Sequence, residues 1–304
     1  MPDAFALFEC LYQERQTVSE KSFTPLRIHN RHPERRELQA YVEAYRQGRH
    51  RAAEKTGLFS PKFALKTHLT VAQFRQFALQ HADADICLVN PFPQLRYWSY
   101  NVWMQGEHAH PGLLSRAQAL LDAVGLDIDL RSVPRHGAEL LAYSNFWVAT
   151  PAFWEAYIGG WLVPISDFLD RHPDHPAVVA ILQGTDHTQA APFLPFMVER
   201  LLSSWLSLHP DWRVAAYPIE ASAVREQYCL SRFERLLFDQ MRDEVDRCDR
   251  NGHFPDETLW RMNGMCALYQ QHCFDYYVHQ PHPHTGQVVK RLVHPSDQSF
   301  PPPR

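Results

Sequence analysis

Apolar positions along the chain fall into two patterns: stripes at helical spacing, and short runs of almost unbroken apolarity that suit buried strands. Residues 5–12 and 26–29 read as opening strands, and Pro33 starts a helix with Leu38, Tyr41, Val42 and Tyr45 on one face, ending near Gly48. A short strand over 57–60 is stopped by Pro61. Thr70 opens a second helix with Gln73 in capping-box position and Val71, Phe74, Phe77 and Ala78 on one side. Residues 86–89 are apolar throughout, as a central strand would be, and Asn90-Pro91-Phe92-Pro93 ends them. The stretch from there to His110 is expected to be a long polar and aromatic loop. Pro111 stands as the first residue of the next helix, with Leu113, Leu114, Ala117, Leu120, Leu121 and Val124 on its apolar face and Gly125 as its stop. A strand over 146–149 and helices over 151–169 and 192–208 follow, the last with a stripe of Phe193, Phe196, Met197, Leu201 and Trp205. Residues 213–217 read as a final strand, then come two helical segments, 223–248 and 256–277. Helices alternating with buried strands define an α/β protein.

A length of 304 residues fits one large domain with a helical appendage. The expected division is an α/β core over 1–218, a helical appendage over 219–278, and an irregular Pro- and His-rich tail over 279–304. In the appendage Phe233, Leu236, Leu237 and Met241 form a stripe that needs a partner. A hydrophobic share of 45% is enough to bury a full core, and a net charge of −4 without a basic stripe excludes nucleic acid as a partner. Six cysteines without a C-x-x-C pair argue against a zinc ribbon and fit a reducing compartment. The first residues lack the pattern of a signal peptide, and no apolar run suits a transmembrane segment, so a cytoplasmic location is expected, with peripheral contact at the inner membrane face through a substrate left open.

Chemistry concentrates in residues 101–112, placed just ahead of a helix, where free N–H groups favour an anion. His108 and His110 suit a diphosphate there, and Glu107 suits a base, a sugar hydroxyl or a metal. Asp83-Ala84-Asp85 has the letters of a metal-diphosphate motif but precedes its strand, so it reads as a solvated turn, and whether a divalent metal is a cofactor stays open. Lys62 and Lys66 follow the strand over 57–60 as cations for phosphate. On the 192–208 helix Glu199 lies opposite the apolar stripe and Arg200 flanks it, so Glu199 becomes a base only if its face borders a cleft. No G-x-S-x-G, P-loop or G-x-G-x-x-G occurs, which removes three enzyme classes.

In order along the chain, Gly57-Leu58-Phe59-Ser60-Pro61-Lys62-Phe63, the 101–112 segment, Tyr143-Ser144-Asn145-Phe146-Trp147-Val148 with Phe153-Trp154, and residues 196–205 with Tyr217-Pro218 resemble bacterial capsule and O-antigen polysaccharide glycosyltransferases of GT-A-like fold. The resemblance covers roughly 5–218 and departs from the family in lacking Asp-x-Asp at a strand end. It implies a mostly parallel sheet, a nucleotide-sugar donor, and a glycan or lipid-linked glycan acceptor. Glu199 or Glu107 would then be the base, with His108, His110, Lys62 and Arg200 facing the departing diphosphate. Asn145, Gln105 and Trp103 would position sugar or nucleotide, Tyr12 and Gln13 would contact the base, and Asn90 and Asn101 are further candidate substrate contacts.

Two other readings compete. One is a metal-dependent hydrolase built on Glu107, His108 and His110, completed by His136 or Asp186-His187. The other is a carbohydrate-binding protein that uses exposed Trp98, Trp103 and Trp147.

Overall fold

The structure, a computed structural model, describes residues 3–29, 31–185, 191–281 and 288. The first half runs β1 (Asp3–Leu11), β2 (Thr24–Arg27), α1 (Glu37–Arg46), β3 (Ala53–Phe59), α2 (Phe63–Thr67), α3 (Val71–Gln80), β4 (Ile86–Leu88), α4 (Val102–Ala109) and α5 (Leu113–Val124). After β5 (Trp147–Ala149), α6 (Pro151–Trp154) continues through a π-helical stretch (Glu155–Leu162) into α7 (Val163–Arg171). Pro164 lies in the first turn of α7 and offers no N–H, which favours the wider turns just before it. Next come α8 (Pro176–Ile181), the small pair β6 (Gly184–Thr185) and β7 (Ala191–Pro192), α9 (Phe193–Leu208) and β8 (Val214–Ala216). A short α10 (Ala221–Ala223) leads through a second π-helical turn (Val224–Tyr228) to the long α11 (Arg232–Asn251) and α12 (Asp256–His279).

The six-stranded sheet has the order β2-β1-β3-β5-β4-β8. β1 pairs in parallel with β2 and β3, and β4 in parallel with β8, while β5 runs antiparallel between β3 and β4. The carboxyl ends of all strands but β5 therefore share one edge, together with the residues that lead into β5. Side chains alternate between the faces, as the pleat requires. Leu7, Phe59, Cys87 and Val148 join Phe63, Phe74, Phe77 and Phe146 beneath α2 and α3. Phe8, Leu58, Ile86, Leu88 and Trp147 join the larger core with α1, α4, α5, α7 and α9. Gly57 is required where β3 meets β5, because a Cβ there would lie 2.2 Å from the Trp147 carbonyl oxygen.

Several expectations change. Most of the segment expected as a loop before His110 is ordered, with a 3-10 turn over Pro93–Tyr97 and then α4, and α5 begins at Leu113 rather than Pro111. The strand expected over 57–60 starts at Ala53, because Lys55 is a buried strand residue whose ammonium donates to the carbonyls of His81 and Ala82, each at 2.9 Å. α9 is buried around most of its circumference rather than along one stripe. Asp85 is no solvated turn residue: it clamps β8 to β4 by accepting from the Arg213 backbone N–H at 3.0 Å and from its guanidinium at 3.1 and 3.2 Å. The capping box at Thr70 and Gln73 forms as expected. The described part of the chain has no helix long and apolar enough to cross a membrane.

α11 and α12 share the larger core through Leu237, Phe238, Met241, Val245, Met262 and Cys266. Leu236, expected in the buried stripe, is exposed instead. Near the start of α11, Glu234 is buried and accepts from the Leu230 N–H at 2.9 Å. Burial pushes its carboxyl up to about 7. An acid with a raised folded-state value binds more protons folded than unfolded, so its contribution to stability falls as pH rises from the ordinary carboxylate range to about 7. Glu234→Gln should flatten that part of the profile, by a few kcal/mol at most in urea unfolding at pH 5 and pH 8. Identical pH dependence in the two proteins would contradict this.

Candidate functional site

The sheet order fixes where a crevice opens. The chain leaves β1 toward β2 on one side and leaves β3 through α2 and α3 toward β4 on the other. The carboxyl ends of β1 and β3 thus flank a topological switch point, where open α/β sheets form their ligand crevices. A small, partly open depression, with room for about one water molecule, occupies this position. Cys10 and Tyr12 line it from β1, Leu58, Phe59 and Ser60 from β3, Glu37, Ala40 and Tyr41 from α1, and Ser144 and Asn145 from the turn ahead of β5.

Two sides of the cleft are built on strained backbone. Ser144 and Asn145 have φ of 60° and 53°, and Arg36, immediately before Glu37, has φ of 44°. Such conformations cost on the order of 1–3 kcal/mol each in non-glycine residues and persist only where neighbours hold them. The holding contacts are visible. Glu199 of α9 accepts from the Ser144 N–H at 2.8 Å, Tyr41 donates its hydroxyl to the Asn145 carbonyl at 3.1 Å, and Lys66 of α2 donates to Ser144 Oγ at 2.8 Å.

Charge at the cleft is coupled. Burial raises the Glu37 carboxyl, the Glu199 carboxylate raises it further, and Lys66 and Arg36 oppose this. Burial lowers the Lys66 ammonium, while Glu199 and Glu37 hold its proton. The buried Cys10 thiol is pushed up to about 12, so it remains a thiol at neutral pH, and burial likewise keeps Tyr12 protonated. Two carboxylates and one lysine in mutual electrostatic contact can exchange a proton and neutralise an anion.

Of the residues singled out in the sequence, Tyr12 and Asn145 line this cleft, and Lys66 and Glu199 stand directly behind Ser144. Lys62 is the N-cap residue of α2, following Ser60. Asn90 follows β4 at the same edge and caps its turn by accepting from the Phe92 N–H at 3.0 Å, and Lys66 lies 5.5 Å from the Phe92 ring. Gln13 is exposed just past β1, its carbonyl accepting from Gln16 and Arg27.

The 101–112 group lies elsewhere, and its polar atoms hold helices together. Asn101 caps α4 by accepting from Trp103 and Met104 N–H groups, each at 3.1 Å, and Trp103 is buried, donating its indole N–H to Ser204 at 2.8 Å. Glu107 caps α5 by accepting from the Gly112 and Leu114 N–H groups at 2.6 and 3.0 Å. His108 bonds Asn263 of α12 at 2.9 Å, and the buried His110 bonds Thr185 at 3.2 Å and stacks on Phe196. Arg200 is buried, donating to the Val102 and Phe196 carbonyls at 3.0 and 2.7 Å and to Gln105. The anion site expected ahead of a helix therefore gives way to a helix packed against α9 and α12. His136 is buried and held to about 3 by burial, and Asp186-His187 lies outside the described residues. Trp98, Trp103 and Trp147 are buried rather than exposed. Among the described residues no cluster of three or more His, Cys, Asp or Glu side chains is arranged to hold a metal.

Sequence reasoning missed Glu37, Ser60 and Tyr41, and gave Ser144 no role. An acidic residue opening a helix is ordinary, which hides Glu37. Comparison with protein-family models, with curated proteins and with solved structures finds no match to this chain.

Proposed function

We propose that the β1/β3 cleft receives a nucleotide-sugar donor and that the chain is a glycosyltransferase, transferring sugar to a hydroxyl of a growing bacterial surface polysaccharide on a GT-A-like core. The observation that carries the reading is the cleft itself: a crevice at the switch point, flanked by a lysine-bearing turn. Tyr12 offers a ring to a nucleobase. Ser60 and Asn145 offer hydrogen bonds to ribose or sugar hydroxyls. Lys62 and Lys66 supply positive charge for the departing diphosphate.

The competing readings lose their supports. Glu107, His108 and His110 of the hydrolase reading are engaged with helix ends and neighbouring side chains. The tryptophans of the binding-module reading are buried, and the most exposed tryptophan is Trp260 on α12. A thermal-shift panel separates the three. Nucleoside diphosphates should raise the melting temperature, by a margin equivalent to about 2.7 kcal/mol at a concentration one hundred times Kd. A response to glycan alone, or to a divalent metal alone, contradicts the transferase reading.

A further inference from the structure

We propose that Glu37 is a catalytic residue, the proton acceptor of the cleft, and that Glu199 is a positioning residue. This rests on the transferase reading, and it moves the base away from both Glu107 and Glu199.

The two carboxylates near the cleft differ in what occupies them. Glu199 Oε1 takes the Ser144 N–H at 2.8 Å and its hydroxyl at 3.4 Å, and Oε2 lies 3.7 Å from the Arg200 guanidinium. Its oxygens are committed to holding the strained turn that presents Asn145. Glu37 lines the cleft. Among the described residues it makes no ion pair, and the hydrogen bond it does make is to its own backbone N–H. Glu37 thus keeps hydrogen-bonding capacity at the cleft that Glu199 has already committed. Arg36, with φ of 44°, turns the chain so that α1 begins at the cleft with Glu37 in its first turn.

The groups that face Glu37 are Glu199 from α9, Lys66 from α2, Arg36 beside it, Cys10 and Tyr12 from β1, and Tyr41 on its own helix. Cys10, Tyr12 and Tyr41 keep their protons through the neutral range, so Lys66, Arg36 and Glu199 set the field. Burial and Glu199 favour the acid form of Glu37, and Lys66 and Arg36 favour the carboxylate. A carboxyl raised by burial and a neighbouring carboxylate, with cations beside it, is suited to proton transfer.

In the step, a Glu37 carboxylate oxygen takes the proton of the acceptor hydroxyl. The acceptor oxygen bonds to the anomeric carbon as the bond from that carbon to the diphosphate oxygen breaks, and the electron pair leaves with the diphosphate.

The test uses the full chain with UDP-glucose, UDP-galactose and GDP-mannose, water as acceptor, and release of nucleoside diphosphate as the readout. Glu37→Gln should lower the rate roughly 10²- to 10⁴-fold, with melting temperature and nucleoside-diphosphate binding unchanged. Lys66→Met should move the acid limb of the pH–rate profile to higher pH, because Glu37 loses the cation that favours its carboxylate. Titration of the labelled Glu37 carboxyl by ¹³C NMR supplies a readout free of turnover: a value above the ordinary range, raised further by Lys66→Met. An unchanged rate in Glu37→Gln, or an ordinary titration indifferent to Lys66, overturns the assignment. Absence of any nucleotide-sugar turnover or nucleoside-diphosphate binding by the wild type overturns the transferase reading instead.

Discussion

Arg200→Met should destabilise the protein by about 2–4 kcal/mol while leaving nucleotide affinity unchanged. Arg200 is buried and bridges α9 to α4 through the Val102 carbonyl and Gln105. Hydrogen bonds from a charged donor contribute roughly 1.5–3 kcal/mol each, and removing the donor leaves the Gln105 carbonyl without its partner in the core. Methionine keeps much of the volume, so the loss reflects hydrogen bonds more than a cavity. The packing is also close on the other side, since a Cβ on Gly106 would sit 2.5 Å from Arg200 Nε. Urea unfolding beside a nucleoside-diphosphate titration checks both halves. A stable variant with weakened nucleotide binding would return Arg200 to the phosphate-binding role that the sequence suggested.

That contrast shows where the sequence is legible. α1, α3, α5 and α9 are visible from their apolar spacing, reinforced by the capping box at Thr70 for α3 and by the stop at Gly125 for α5. β4 is visible because it is buried on both faces. The full length of β3 is hidden by Glu54 and Lys55, since a buried lysine that caps the end of α3 has the same letter as a solvated one. α4 is hidden by Gly106 and the histidines on either side of Ala109, and its one clear signal is the Asn101 cap. At the cleft, Tyr12 is legible as the end of a strand and Lys66 as a cation following one, while Asn145 and Glu199 come from motif order. Glu37 requires the topology: only the sheet order brings the first turn of α1 against the ends of β1 and β3. Burial of the three tryptophans was equally out of reach, because an indole at the core and one at a surface site have the same local sequence pattern.

On the proposed function, ligand chemistry belongs to the β1/β3 cleft and not to the α4 segment. Lys66 tests it, because its ammonium donates to Ser144, a residue of the cleft lining. Glu107 is the matching control, a carboxylate that caps α5 away from the cleft lining. Calorimetric titration of a nucleoside diphosphate into the wild type, Lys66→Met and Glu107→Gln reads the claim directly. Losing one partly desolvated charge-assisted contact to phosphate should weaken binding roughly tenfold to a hundredfold in Lys66→Met, with Glu107→Gln matching the wild type. Binding lost in Glu107→Gln and kept in Lys66→Met would put the ligand at α4 instead of the cleft.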